Sequence, residues 1–205
     1  MWETLKKSVA AGISIGLGAT VFLACDNKVV GAVLFAVGLY AVCVMGQFLY
    51  TGKIGYIFEN RNSPNCAVIW LGNLIGSFIC ALPLRFALPK LHEKAVTIVA
   101  AKLAEPWYAA LILGFFCGII IYIAVQCYKI SEGIGKYLGI LLGVPVFILS
   151  GFEHSVADMA YGIYGVNTLG EVWRFALFVL LVTVGNGVGS LVFRYFTEAV
   201  RKKEK

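Results

Sequence analysis

Three ionisable side chains interrupt the apolar stretch "ILSGFEHSVADMAYG" at 148–162: Glu153, His154 and Asp158. Two carboxylates and an imidazole can act as general acid and base toward a bound molecule. Enzymatic use of them would call for an activated nucleophile, a cofactor motif or a metal set. None accompanies them: no CxxC or Cys/His metal spacing occurs, so the expectation is no enzyme, no cofactor and no metal. What remains is the handling of ions and protons, the usual role of ionisable groups inside a membrane. An imidazole titrates near neutrality, so His154 can hold or release a proton under mild conditions. Glu153 is its chain neighbour and points elsewhere on a helix; it is expected to bond backbone N–H groups. Asp158 lies four residues after His154 and shares its helical face. It can pair with His154, face a vestibule or meet a neighbouring protomer.

The elements that must position these groups are membrane helices. The 205 residues are 60% hydrophobic and 14% charged, with mean hydropathy +0.86. A soluble domain carries about 25% charged residues, so the chain is read as one polytopic transmembrane domain, 1–205. The net charge of +6 is then no nucleic-acid footprint. The six cysteines read as small apolar helix residues, and the first apolar run reads as a mature span rather than a cleaved signal. Four uncharged runs match single crossings: Ser8 to Cys25, Cys66 to Leu84, Trp107 to Tyr128 and Phe175 to Phe193. Two runs are longer and interrupted, Val29 to Phe58 at "GQFLYTGK" and Tyr137 to Tyr164 at "SGFEHS". As continuous helices they would span roughly 42–45 Å, against about 30 Å of hydrocarbon. They are expected to be broken. Non-helical backbone at membrane depth must be buried in protein or line a cavity, so the breaks mark a pathway.

Six crossings put both termini on one side. Lys6, Lys7, Lys53, Arg61, Lys129, Lys136, Arg194, Arg201, Lys202, Lys203 and Lys205 then share a side; Lys28, Arg85, Lys90, Lys94, Lys102 and Arg174 share the other. The richer side is cytoplasmic. The halves, about 5–90 and 103–198, also resemble each other: "GNLIGS" (Gly72–Ser77) answers "GNGVGS" (Gly185–Ser190), and Gly12 and Gly16 are matched with Gly114 and Gly118. Three crossings per half make the second half insert upside down, an inverted repeat. Asn73 and Asn186 then lie at corresponding depths, able to bond backbone freed by the breaks or to join helices as ordinary interhelical glue. His92, in the outer loop "KLHEK", is expected to be solvated, and Trp107 and Trp173 to be interfacial anchors.

"SGFEHSVADM", "FLYTGK", the two "GN-x-x-G" motifs and Lys102 ahead of "PWYAALILGFFCG" resemble the formate/nitrite transporter family from the first span to the sixth. The resemblance implies an all-α, aquaporin-like fold of six transmembrane helices, two of them broken, in a three-plus-three inverted repeat. It implies a homopentamer in the inner (cytoplasmic) membrane, with an anion pathway through each protomer. Its substrates would be small monovalent anions such as formate, nitrite, hydrosulfide or lactate, often moving with a proton. By motif, His154 is the central histidine, Thr51 faces it from the other break, Leu49 and Tyr50 form apolar constrictions, and Lys102 is the vestibule lysine. Asn73 and Asn186 are the paired asparagines, with Glu153 and Asp158 in support. Two positions depart from the family pattern: Asp158 where Asn is common, and Tyr50 where Phe is common.

A bare anion faces a large desolvation cost in an apolar constriction, so crossing is easier once it is protonated. Lys102 would concentrate the anion at the mouth, and His154 would be a proton donor or a polar way-station. The competing readings are a channel for neutral solutes and a structural membrane subunit without transport.

Overall fold

The computed structural model describes residues 1–58 and 65–201. The charges of Arg61, Lys202, Lys203 and Lys205, and the side chain of Arg201, lie outside the described residues. The helices are α1 (Trp2–Ala24), α2 (Lys28–Val44), α3 (Tyr50–Lys53), α4 (Cys66–Ala87), α5 (Pro89–Ala104), α6 (Trp107–Ile130), α7 (Gly135–Leu149), α8 (Ser155–Gly165) and α9 (Leu169–Arg201), with a short 3-10 turn at Ile54–Tyr56.

Among the described residues, α1, α4, α6 and α9 are long and apolar enough to cross a bilayer. They coincide with the four uninterrupted runs. The two long runs are broken, as their length and polar interruptions require. α2 stops at Val44 and the chain resumes as α3; α7 stops at Leu149 and resumes as α8. Both stops have the same local cause. Gly46 (φ 62°) and Gly151 (φ 72°) take the left-handed conformation that ends helices readily only at glycine. The next N–H reaches back around the last turn, Gln47 to the Val42 carbonyl and Phe152 to the Phe147 carbonyl, both at 2.9 Å. The chain then runs extended through Leu49 and His154, the residues that precede α3 and α8.

Small residues set the packing. α1 lies against α4, and α6 against α9. A Cβ on Gly12 would sit 2.1 Å from the Asn73 carbonyl oxygen, and one on Gly118 would sit 2.2 Å from that of Asn186. Likewise Gly76 meets the Val9 oxygen at 2.1 Å and Gly189 meets the Phe115 oxygen at 1.9 Å. This corrects the glycine register expected from sequence: the counterpart of Gly12 is Gly118, not Gly114. Spacing alone could not choose between two glycines one turn apart; the backbone contact does. Gly189→Ala is expected to lower the melting temperature markedly, because the Phe115 backbone against it cannot yield, and overpacking costs about 1–3 kcal/mol or more. Gly170→Ala, with open space around the added carbon, should be neutral or slightly stabilising. Thermal melts of the two purified variants check the contrast; an unshifted Gly189→Ala melt would refute it.

Large apolar side chains face outward on α2 (Val30, Val33, Val37), α4 (Leu71, Ile75, Ile79) and α9 (Leu177, Leu180, Val184). Only a non-aqueous surrounding suits so much exposed hydrocarbon. The chain is a multi-pass membrane protein.

The connection after α4 is itself a helix, α5, which the sequence reading left as an outer loop. Pro89 suits its first turn, and Leu91, Ala95 and Val99, each four apart, are buried against α8. His92 is therefore not simply solvated: its Nδ1–H donates to the Tyr164 carbonyl at 2.7 Å. Lys94 pairs with Asp26 at 2.8 Å, tying α5 to the α1–α2 turn. Hydrogen bonding and then charge from Lys94 hold the exposed Asp26 carboxyl below its ordinary range.

Candidate functional site

Each break frees backbone groups that α-helices would have paired. One asparagine satisfies each set. At the first break, Asn73 Oδ1 accepts from the Tyr50 N–H at 2.8 Å, while Nδ2 donates to the carbonyls of Ser8 (2.8 Å) and Phe48 (2.9 Å). At the second, Asn186 Oδ1 accepts from the Ser155 N–H at 2.9 Å, while Nδ2 donates to the carbonyls of Gly114 and Glu153, both 2.8 Å. Both amides are fully buried. Two further bonds match: Phe48 N–H to the Lys7 carbonyl (3.1 Å) and Glu153 N–H to the Leu113 carbonyl (3.3 Å). The two asparagines thus do the same work, and the reading of them as holders of the breaks is the one the geometry supports.

The breaks bring Thr51 and His154 together, with Thr51 Oγ1 2.9 Å from His154 Nε2. The other ring nitrogen caps α8: Nδ1 accepts the Ala157 N–H at 3.1 Å. That bond fixes the tautomer. Nδ1 carries no hydrogen, so the neutral ring holds its hydrogen on Nε2 and donates it to Thr51. A second proton would have to displace the Ala157 cap. Phe147 stacks on the imidazole at 5.6 Å and 26°, and both His154 and Thr51 are buried. The site is a neutral hydrogen-bond donor in an apolar surround.

Leu49 holds the position before α3 that His154 holds before α8. It is buried and lines a cavity of about 120 Å³ together with Gln47, Lys53 and Lys129. Tyr50 is buried as well, but its hydroxyl turns to α9, donating to the Thr183 carbonyl at 3.3 Å. Gly187 lies beside it, where a Cβ would be 3.0 Å from that oxygen. The extra hydroxyl of Tyr relative to Phe is accommodated by α9.

The carboxylates depart most from expectation. Glu153 does not bond the freed N–H groups at the break; Asn186 and the Leu113 carbonyl serve that backbone instead. Its carboxylate pairs with the Lys102 ammonium. Asp158 Oδ1 reaches the same ammonium at 3.0 Å, so Asp158 pairs with Lys102 rather than His154. Lys102 is correspondingly not an open cation. It is largely buried, with the rings of Phe178 and Tyr161 at 5.6 and 5.8 Å. The parts that sequence reasoning missed are Phe147, Tyr161, Phe178 and Thr183, aromatic or hydroxyl residues that lie outside the matched motif residues of their spans.

Broken helices held by buried asparagines, with an imidazole between them, make a polar site inside a membrane-spanning fold. The sequence profile of the formate/nitrite transporter family matches residues 1–200, and the chain belongs to that family. It is 28% identical over 174 residues to the formate channel FocA of Haemophilus influenzae, covering 78% of this chain and 58% of the relative. It is 29% identical over 213 residues to the nitrite transporter NirC of Salmonella typhimurium, covering 91% and 78%. Among solved structures, an FNT family ion channel matches with TM-score 0.87 at 25% identity, covering 98% of this chain and 90% of that one. A pentameric formate channel with formate bound shares the fold, with TM-score 0.81 at 24% identity, over 98% and 97%.

Proposed function

We propose that the protein is a channel for a small monovalent weak-acid anion of the formate or nitrite kind, moving together with a proton. The observation that carries this reading is the buried Thr51–His154 pair between two helix breaks, each held by its own asparagine. Support comes from relatives named as formate channels and nitrite transporters.

In this reading the chain is one transmembrane domain of two inverted halves and six crossings, α2–α3 and α7–α8 each counting once. The matched bonds at Asn73 and Asn186 support it. Both termini face the cytoplasm of an inner membrane, in accord with the lysine and arginine distribution. Five copies assemble, as in the pentameric formate channel that shares the fold, and each copy carries its own pathway.

The anion approaches from the α5 side, toward the Lys102 ammonium that Glu153 and Asp158 hold. Carrying it bare past Leu49 and Tyr50 would cost several kcal/mol or more in lost hydration. A proton taken up near Lys102 removes that cost, and the neutral acid then exchanges water for the Nε2–H of His154. His154 acts as a polar way-station, since its Nδ1 is committed to Ala157.

The test is flux into proteoliposomes for a panel of anions (formate, nitrite, hydrosulfide, lactate) and for glycerol, with and without an imposed pH difference. At least one anion should move several-fold faster than in protein-free vesicles, and faster again with the receiving side alkaline. Glycerol flux indifferent to the gradient and to anion competition would establish the neutral-solute reading instead. Absence of any flux would leave a structural subunit.

A further inference from the structure

Two buried carboxylates share one buried ammonium on the α5 side of the site. The Glu153 and Asp158 side chains are 7% and 1% exposed, and that of Lys102 is 12% exposed. With every group ionised the cluster carries one net negative charge in a largely buried place, on the side from which the proposed anion approaches. Asp158 Oδ2 is buried and has no hydrogen-bond partner among the described residues. An ionised carboxylate with one oxygen left bare in such a place is costly. A single proton shared by the carboxylates removes both the net charge and the bare anionic oxygen.

We propose that Asp158 makes this cluster a proton-binding site that controls admission of the anion. With the proton bound, Lys102, Glu153 and Asp158 sum to zero, and the ammonium attracts an arriving anion. With the proton lost to outer water, the second carboxylate ionises and the cluster repels it. Asparagine, the residue common in the family at the position of Asp158, would leave only Lys102 and Glu153, which sum to zero while both are ionised. The inference rests on the anion-channel reading for its consequence, but not for the proton site itself.

Glu105, just past the end of α5, Cys117 of α6 and Tyr161 of α8 lie within electrostatic reach of the cluster. Arg174 of α9 donates to the Leu103 carbonyl beside Lys102. α4 meets α8 through Arg85, bonded to the Ile163 and Val166 carbonyls. α1 meets it through Thr20, bonded to the Tyr164 hydroxyl. His154 is turned away, toward Thr51. Among these, the two acids bound to Lys102 are the pair forced to share.

The experiment compares wild type with Asp158→Asn at limiting formate in proteoliposomes, from about pH 5 to about pH 8. The ratio of variant to wild-type rate should be near one at the acid end. It should rise on the order of tenfold toward the alkaline end, the scale of electrostatic control over arrival rates. A ratio that stays flat across the range overturns the proposal. Infrared difference spectra of the same proteins, acid minus alkaline, supply a readout independent of flux. Wild type should show the carbonyl band of a protonated carboxylic acid, and Asp158→Asn should lack it. If the variant does not assemble, the wild-type spectrum decides: no such band over the range overturns the proposal. If wild type shows the band yet moves no anion, the proton site stands and the anion-channel reading falls.

Discussion

Asn186→Leu is expected to leave little or no folded protein. Leucine approximates the shape of asparagine but offers no polar atom. The Ser155 N–H and the carbonyls of Gly114 and Glu153 would each lose the bond Asn186 now supplies. A buried backbone group left unpaired costs about 1–3 kcal/mol, so three cost roughly 3–9 kcal/mol. Total stabilities of about 5–15 kcal/mol are typical, and no water reaches the membrane interior to share the burden. Asn73→Leu should do equal damage through Tyr50, Ser8 and Phe48. Size-exclusion yield and thermal melting of detergent-purified variants measure both. A leucine variant that melts like wild type would mean the breaks find other partners and are not held by these amides.

His154 variants should behave in the opposite way, sparing the fold and altering the transport. His154→Ala removes the α8 cap and the bond to Thr51. Loss of a cap costs about 0.5–2 kcal/mol, which the fold can bear. His154→Asn restores a capping oxygen while still removing the imidazole, so it separates structure from function. Both variants should assemble, and both should change the pH response or the anion selectivity of flux. The asparagine variant should recover most of the stability lost in the alanine variant. Proteoliposome flux at acidic and neutral pH, set beside melting data, checks this. Wild-type flux from His154→Asn at both pH values would remove the imidazole from the mechanism.

The breaks show how far sequence carries. A 28- or 30-residue apolar run cannot cross a bilayer as one rod, and polar residues at its middle say where it must bend. Length and composition alone therefore located both interruptions. Glycine's tolerance of positive φ at Gly46 and Gly151 supplied the local means. The membrane class followed from the same arithmetic, since 14% charge cannot clothe a soluble surface. The α5 helix was missed because its apolar stretch, Ala95 to Ala101, is too short to cross a bilayer and is flanked by charges. Only its neighbour α8 reveals which face is buried.

What tertiary structure alone decided is partnership. Sequence put His154, Thr51, Lys102 and the two asparagines on a list by motif, but pairings between distant residues are set by packing, and no spacing encodes them. Glu153 and Asp158 illustrate the difference. Sequence flagged both as unusual in oil, yet left Asp158 with three possible destinations and sent Glu153 to the backbone. The fold gave both to Lys102, a residue more than fifty positions earlier, because α5 folds back along α8 and leaves the ammonium as the cation within their reach. One chain thus declares from its letters that it spans a membrane and where it bends. Which buried charge answers which is settled only when the helices are brought together.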